Sequence, residues 1–240
     1  MENALLIALS RQTVMERHME VIANNIANSS TPGFKGEQLM FVEYLAQTAD
    51  GQEASYVQDL AVVRDYGEGK FIETRNKLDM AIHGKGWFVI DTPERRAYTR
   101  NGHFTLNERG EMVTPGGHPV LSVNGTPITL APEDTAIEIS SDGTVSTAAG
   151  VRGRLDIVTF EDETALDKAS NSLFVTDAVP NRALKAQVVQ GMVEGSNVEP
   201  IVEVSNMIVA LRSYQSAQEV ILGDDGLLRQ AIDVLTDQQA

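Results

Sequence analysis

The side chains best suited to proton transfer or metal ligation near neutral pH are the four histidines, His18, His83, His103 and His118. No two of them lie at the spacing of a metal-binding pair, no HExxH helix is present, and cysteine is absent, so the sequence shows no zinc-type ligand set and no thiolate nucleophile. His18 falls in a helical segment and the other three sit beside glycine-containing turns, where placement alone accounts for them. Carboxylates of the general acid–base kind cluster at Glu133/Asp134 and at Glu161/Asp162/Glu163, in polar stretches after a proline or a strand end that read as solvated loops. DYGEGKF, with Gly67 and Gly69, and HGKGWFV, with Gly84 and Gly86, have the glycine density of a phosphate loop. Both lack the third glycine and precede strand-like runs in place of a helix, so they read as turns. No GxSxG elbow occurs, and Asp224–Asp225 lacks the alternating oxygen ligands of a calcium loop. The expectation is a protein with no catalytic, cofactor or metal site and no small-molecule substrate.

Composition narrows the partners. In 240 residues, 34 acidic side chains face 19 basic ones, a formal charge of −15 whose field repels phosphate and argues against nucleic acid and anionic membrane surfaces. At 42% hydrophobic the chain has the material for a core, built mostly from aliphatic residues because aromatics are only 5%. No stretch approaches the roughly 18 apolar residues of a membrane span. The apolar run Ala4 to Leu9 is short, follows Glu2 where a signal peptide is basic, and is closed by no small-residue cleavage pattern, so no cleaved signal is expected.

The elements that must position these residues differ between ends and middle. From Glu2 to about Asn28 there is no glycine or proline, and Leu5, Leu9, Gln12, Met15, Met19, Ile22 and Ile26 recur at helical spacing. Val204, Ile208, Leu211, Gln218, Ile221, Leu228, Ile232 and Leu235 form a second such seam at the other end. Gly223 and Gly226 interrupt it, each costing about 1 kcal/mol in a helix interior, so that either the helix kinks and is recapped by Asp224 or Asp225, or packing overrides the preference. In the middle the period becomes two. Gly84–Gly86, Asn101–Gly102, Pro115–Gly117, Asn124–Gly125 and Asp142–Gly143 separate short runs such as Trp87 to Ile90 and Leu155 to Phe160, the pattern of antiparallel strands joined by tight turns. The fold class is therefore α+β: an all-β middle domain over 76–180 inserted between long amphipathic helices. Residues 1–30 plus 201–240 are expected to form a discontinuous helical domain with coiled-coil-like pairing, and 31–75 plus 181–200 an extended or hairpin connection. Two such apolar stripes must be covered by each other or by neighbouring subunits.

The most specific stretch is ANNIANSSTPGFKG, Ala23 to Gly36. Three asparagines stop a helix, Pro32 fixes φ, Gly33 accepts the positive φ of a type II turn, and Phe34 supplies an apolar anchor. It resembles the N-terminal signature of the bacterial flagellar rod and hook proteins. Three further stretches resemble that family in the expected order: NKLDMAIHGKGWFVI (76–90), YTRNGHFTLNERGEMV (98–113) and QGMVEGSNVEPI (190–201). The short length, the opening MENALLIALSRQ and FVEYLAQ at 41–47 are similar to the proximal-rod members, with the distal-rod members as the alternative. A monomeric β-domain binding protein on a helical stalk is the alternative from another class.

The resemblance implies a structural rod subunit of the flagellar basal body that associates with itself and other rod subunits and passes through the flagellar type III export apparatus. The two helix stripes become assembly surfaces. Asn24, Asn25, Asn28, Thr31, Pro32, Gly33 and Phe34 become the family motif and turn, and Gln190, Gly191, Glu194, Ser196, Asn197 and Val198 the motif before the last helix.

Overall fold

The computed structural model describes residues 2–47, 53–131, 134, 136–170 and 172–237. The chain divides into two compact units, one of Met1–Ala27, Glu37–Arg64 and Glu199–Ala240, the other of Asn28–Gly36 and Asp65–Val198. Two long helices and a middle made mostly of short strands give the α+β class.

The first unit holds α1 (Glu2–Ala27), a long antiparallel hairpin of β1 (Glu37–Gln47) and β2 (Glu53–Arg64), and α2 (Pro200–Asp237). Pro200 opens α2 at the first helical position, where a missing N–H costs nothing and φ is already suitable. The helix then runs unbroken through Gly223 and Gly226. A side chain at either glycine would meet no atom within 4 Å, so neither is there to admit a close neighbour within the subunit. The side chains of Leu5, Asp224, Asp225, Leu228, Ile232 and Leu235 lie outside the described residues. The hairpin pairs Glu37 with Arg64 at its root and shifts register between Met40 and Phe41. Thus the stretch 31–75, read from sequence as a connector, contributes a strand pair to the helical unit and its remainder to the β unit.

In the second unit, β3 (Phe71–Glu73) pairs with Met192–Glu194 and β4 (Met80–His83) with Gln187–Gln190. A six-stranded sheet is centred on β5 (Trp87–Asp91) and β6 (Arg96–Thr99), with Ile157–Thr159 and Leu173–Val175 on their outer sides. The run Trp87 to Ile90 is apolar at every position because β5 separates two cores. Phe88 and Ile90 pack with Met80, Ile82, Phe104, Met112 and Leu155, while Trp87 and Val89 pack with Tyr98, Phe160, Leu166 and Phe174. Gly84, Gly117, Gly125 and Gly143 adopt the positive φ expected of turn glycines. Gly102 does not. It follows β6, accepts a hydrogen bond from Met80 N, and carries no side chain because a Cβ would collide with Met80 O. The expected Asn101–Gly102 hairpin turn is therefore a close approach of two strands.

Candidate functional site

The segments that the sequence singled out converge on one buried carboxylate. Residues 28–36 leave α1 through a turn in which Phe34 N donates to Thr31 O at 3.2 Å, with Pro32 second and Gly33 third at φ +68. Gly33 N then donates to Glu194 O at 2.7 Å, and a Cβ on Gly33 would collide with the backbone of Asn101. Two residues on, Lys35 Nζ donates to Glu194 Oε1 at 2.6 Å and to Gly67 O at 2.7 Å, with the Lys35 and Glu194 side chains fully buried. From the YTRNG stretch, Arg100 Nη1 donates to Glu194 Oε2 at 3.2 Å and to Ile82 O at 2.9 Å, and its Nη2 to Gly84 O at 2.7 Å. Gly69 N completes the shell at 3.1 Å from Glu194 Oε1. Burial pulls the Lys35 ammonium below its ordinary range, and the Glu194 carboxylate opposes that pull. One anion holds two buried cations, each by a charge-assisted hydrogen bond, which leaves an excess of one positive charge and a buried Arg100 Nε without a partner.

The neighbouring motif residues extend this knot. Asn197 Oδ1 accepts from Gly36 N at 2.7 Å while its Nδ2 donates to Asp65 O at 2.8 Å. Ser196 Oγ accepts from Val198 N, and Gly191, at φ +78, donates to Asp79 O. Gln190 bridges by donating to Lys77 O and Ile137 O and accepting from Ile139 N. Phe34 is buried beneath the Lys168 ammonium, 4.8 Å from its ring centre. Asn28 accepts from Thr31 through both its backbone O and its Oδ1. Lys35 and Arg100 escaped the sequence reading, and Gly67 and Gly69, read there only as turn glycines, lend a carbonyl and an N–H to the cluster. The signal of the two cations was a lone charge placed inside a turn motif or at a strand end, beside residues otherwise apolar or small.

In the helical unit, Asn25 is spent on the hairpin root. Its Nδ2 donates to Glu37 O at 2.7 Å and its Oδ1 accepts from Glu37 N at 2.9 Å, so one amide pairs with both backbone groups of the first β1 residue. Asn24 Nδ2 reaches Glu37 Oε2 at 3.1 Å, and Arg64 Nε holds Glu37 Oε1 at the same distance. The helix faces sort differently from the expected seams. Ile22 is buried, as are Ala8, Val14 and Val21, which lie off the seam; Gln12, Met15, Met19 and Ile26 are half-buried, and Leu9 is exposed. On α2 the inward residues are Ala210 and Ala217, 2% and 5% exposed, with Ile221 half-buried. Val204, Ile208 and Leu211 are 48%, 48% and 45% exposed, and Gln218 is exposed as well. The two fully buried side chains of α2 among the described residues are short, while Val204, Ile208 and Leu211 are left about half exposed.

Several of the residues weighed for chemistry make structural contacts. His103 Nδ1 lies 2.8 Å from Asp79 Oδ1, His83 Nδ1 3.5 Å from Glu68, and the His18 ring packs edge-on to Phe41. The His118 backbone N donates to Thr114 Oγ1. Asp162 caps a 3₁₀ turn through Thr164 N, and Glu163 accepts from the Trp87 indole. Asp134 pairs with Arg152; Glu133 lies outside the described residues. Among the described residues no group of three or more ligating side chains could hold a metal, and no helix is long and apolar enough to cross a membrane.

Comparison with known proteins gives three family matches in chain order: residues 5–35 match the family described as flagella basal body rod protein, 81–147 the flagellar hook protein FlgE/F/G D1 domain, and 189–234 the flagellar basal body rod FlgEFG protein C-terminal family. The chain is 36% identical to the flagellar basal-body rod protein FlgF of Caulobacter vibrioides, with 98% of each chain covered. It is 34% identical to the FlgF of Rhizobium meliloti, again over 98% of each. Its identity to the flagellar basal-body rod protein FlgG of Bacillus subtilis is 32%, over 98% of this chain and 99% of that one.

Proposed function

The chain belongs to the flagellar basal-body rod protein family, and from that premise we propose how it is built into the rod: as a structural subunit whose terminal helices form the rod core and whose β unit faces outward. The observation that carries this reading is the outward apolar stripe Val204, Ile208 and Leu211, left about half exposed although α2 already contacts α1 through alanines. An exposed row of this kind is stabilised by association, at about 25 cal/mol per Å² of apolar surface covered, less the ordering entropy of the helices. The partners are other rod and hook subunits and further copies of this chain. In the assembled rod the helices adopt the coiled-coil-like pairing expected from their seams, and 1–30 plus 201–240 carry the core while 76–180 form the outer domain. Transit through the flagellar type III export apparatus without a cleaved signal peptide, a place in the periplasmic span of the rod, and torque transmission through the shaft complete the reading. Both FlgF and FlgG relatives fit; the larger identities to FlgF favour the proximal rod.

The experiment is complementation of a motility-deficient strain lacking this chain. Leu9→Asp and Leu211→Asp variants are expected to restore no swimming while the purified proteins keep a folded β unit. Wild-type swimming by both would overturn the reading.

A further inference from the structure

The β unit holds a cavity of about 350 Å³ walled by four segments that are distant in sequence. Asn28 and Thr31 come from the turn after α1, and Thr99 and Asn101 from the end of β6. Thr114, Pro115, Gly116 and His118 come from one tight turn, and Ser170 and Leu173 from facing positions of a hairpin. Part of this polar lining holds the walls in place. Thr31 Oγ1 donates to Asn28 Oδ1, and Thr99 Oγ1 accepts from Asn101 N while donating to Ser172 O. The tight turn is closed by bonds from Thr114 N to His118 O and from Gly117 N to Thr114 O. The rest stays available: among the described residues, Asn101 Nδ2, the Ser170 hydroxyl and the His118 imidazole have no hydrogen-bond partner, and Thr114 Oγ1 accepts from His118 N without donating. Between Ser170 and Leu173 in the chain, Ser172 has a φ of +64, which side chains other than glycine rarely adopt, and a buried hydroxyl with no partner among the described residues. Strained backbone and unsatisfied buried polar atoms collect at binding sites, where the surrounding structure holds them against their local preference.

We propose that this cavity binds one uncharged sugar unit; the proposal does not rest on the rod-subunit reading. His118 is the only ionisable side chain on the lining among the described residues, so a phosphate, carboxylate or ammonium group would give up its hydration without gaining an opposite charge. An anion is repelled besides by the chain's charge of −15. The available groups are mixed in kind: an amide that donates, two hydroxyls and an imidazole. That mixture matches a ring whose hydroxyls each donate and accept. Leu173 and Pro115 add an apolar edge for the C–H side of such a ring. The volume lies at the lower end of the roughly 300–1,000 Å³ of small-molecule sites and is more than twice the roughly 150 Å³ that holds benzene, which suits one six-membered ring with its substituents. An extended peptide would need a continuous row of backbone partners along one strand edge, whereas these walls are turns and strand ends from four segments. Among the described residues no carboxylate lines the cavity to act with His118, so the sugar is bound and not transformed.

The test is an NMR titration of the full-length protein with glucose and with N-acetylglucosamine, read at the His118 ring and the Asn101 side-chain amide. A saturable shift of both signals at millimolar concentrations of at least one sugar is expected. His118→Ala and Ser170→Ala each remove a group with no partner inside the protein. Each variant is therefore expected to keep the wild-type denaturant midpoint and, read at Asn101, to bind about fivefold more weakly, the loss of one neutral hydrogen bond. No saturable shift with either sugar overturns the proposal, as does unchanged affinity in both variants. A capped alanine tripeptide that shifts the same signals when neither sugar does overturns the sugar and makes the occupant a peptide segment. A β-1,4-linked tetramer of N-acetylglucosamine separates the two sources of the same unit: binding at least fivefold tighter than the monomer assigns it to a glycan chain, and equal affinity to a free sugar.

Discussion

Lys35 Nζ and Glu194 Oε1 lie 2.6 Å apart at a sequence separation of 159, with both side chains shut off from water. The pair, with Arg100 on the other carboxylate oxygen, ties the turn after α1, the loop through Gly67 and Gly69, and the stretch before α2 to one point in the β unit. That arrangement makes the order of mutational damage predictable.

Glu194→Ala strands two buried cations, a defect that typically costs about 3–5 kcal/mol. Lys35→Met removes one cation and leaves the Arg100–Glu194 contact in place, so it is expected to cost clearly less. Urea titration followed by the fluorescence of Trp87, which lies in the same unit, reads both midpoints. A midpoint for Glu194→Ala equal to that of Lys35→Met contradicts the cluster's role.

Gly33 is fixed twice over, by φ +68 and by the Asn101 backbone against which a Cβ would collide. Replacing it with alanine is expected to cost more than the roughly 1 kcal/mol of an unfavourable φ alone, and more than Pro32→Ala, whose effect is confined to the flexibility of the unfolded chain. Differential scanning calorimetry of the two single variants decides. The Pro32/Gly33 double alanine variant is expected to impair assembly chiefly through the Gly33 change.

The two faces of α2 separate folding from association. Ala210→Asp buries a charge in the α1–α2 contact and should lower helix content in the monomer. Leu211→Asp, one residue along and 45% exposed, should leave monomer stability within about 0.5 kcal/mol while abolishing association. Circular dichroism at low concentration combined with sedimentation at high concentration distinguishes the pair, and equal loss of helix in both would refute the assignment of faces.

His18 gives the helical unit a pH dependence. Burial pushes its imidazole below the ordinary value of 6.5, partly offset by the Glu203 carboxylate. Between the depressed folded pKa and 6.5 the unfolded chain binds more protons than the folded one, so stability rises with pH through this window and falls on acidification. Denaturant midpoints for the helical signal should be lower at pH 5.5 than at pH 7.5, and His18→Gln should flatten that difference. An NMR titration placing His18 above 6.5 would reverse the sign.

Much of this protein is set by local sequence. Helical periodicity without glycine or proline fixes α1, Pro200 and an apolar seam fix α2, and period-two runs between turn glycines fix a β middle, because backbone preference and amphipathic pattern act over a few residues. The turn at Thr31–Phe34 is equally local, since Pro32 and Gly33 carry its dihedral angles themselves. Tertiary structure decided what those elements touch. No local rule pairs Lys35 with Glu194 or sets Asn25 against the backbone of Glu37, since each partner is desolvated only once distant segments meet. Nor does periodicity tell which of two apolar faces turns inward: the α2 seam was legible, but Ala210 and Ala217 took the contact with α1 because short side chains let the helices approach, and the branched residues were left outside.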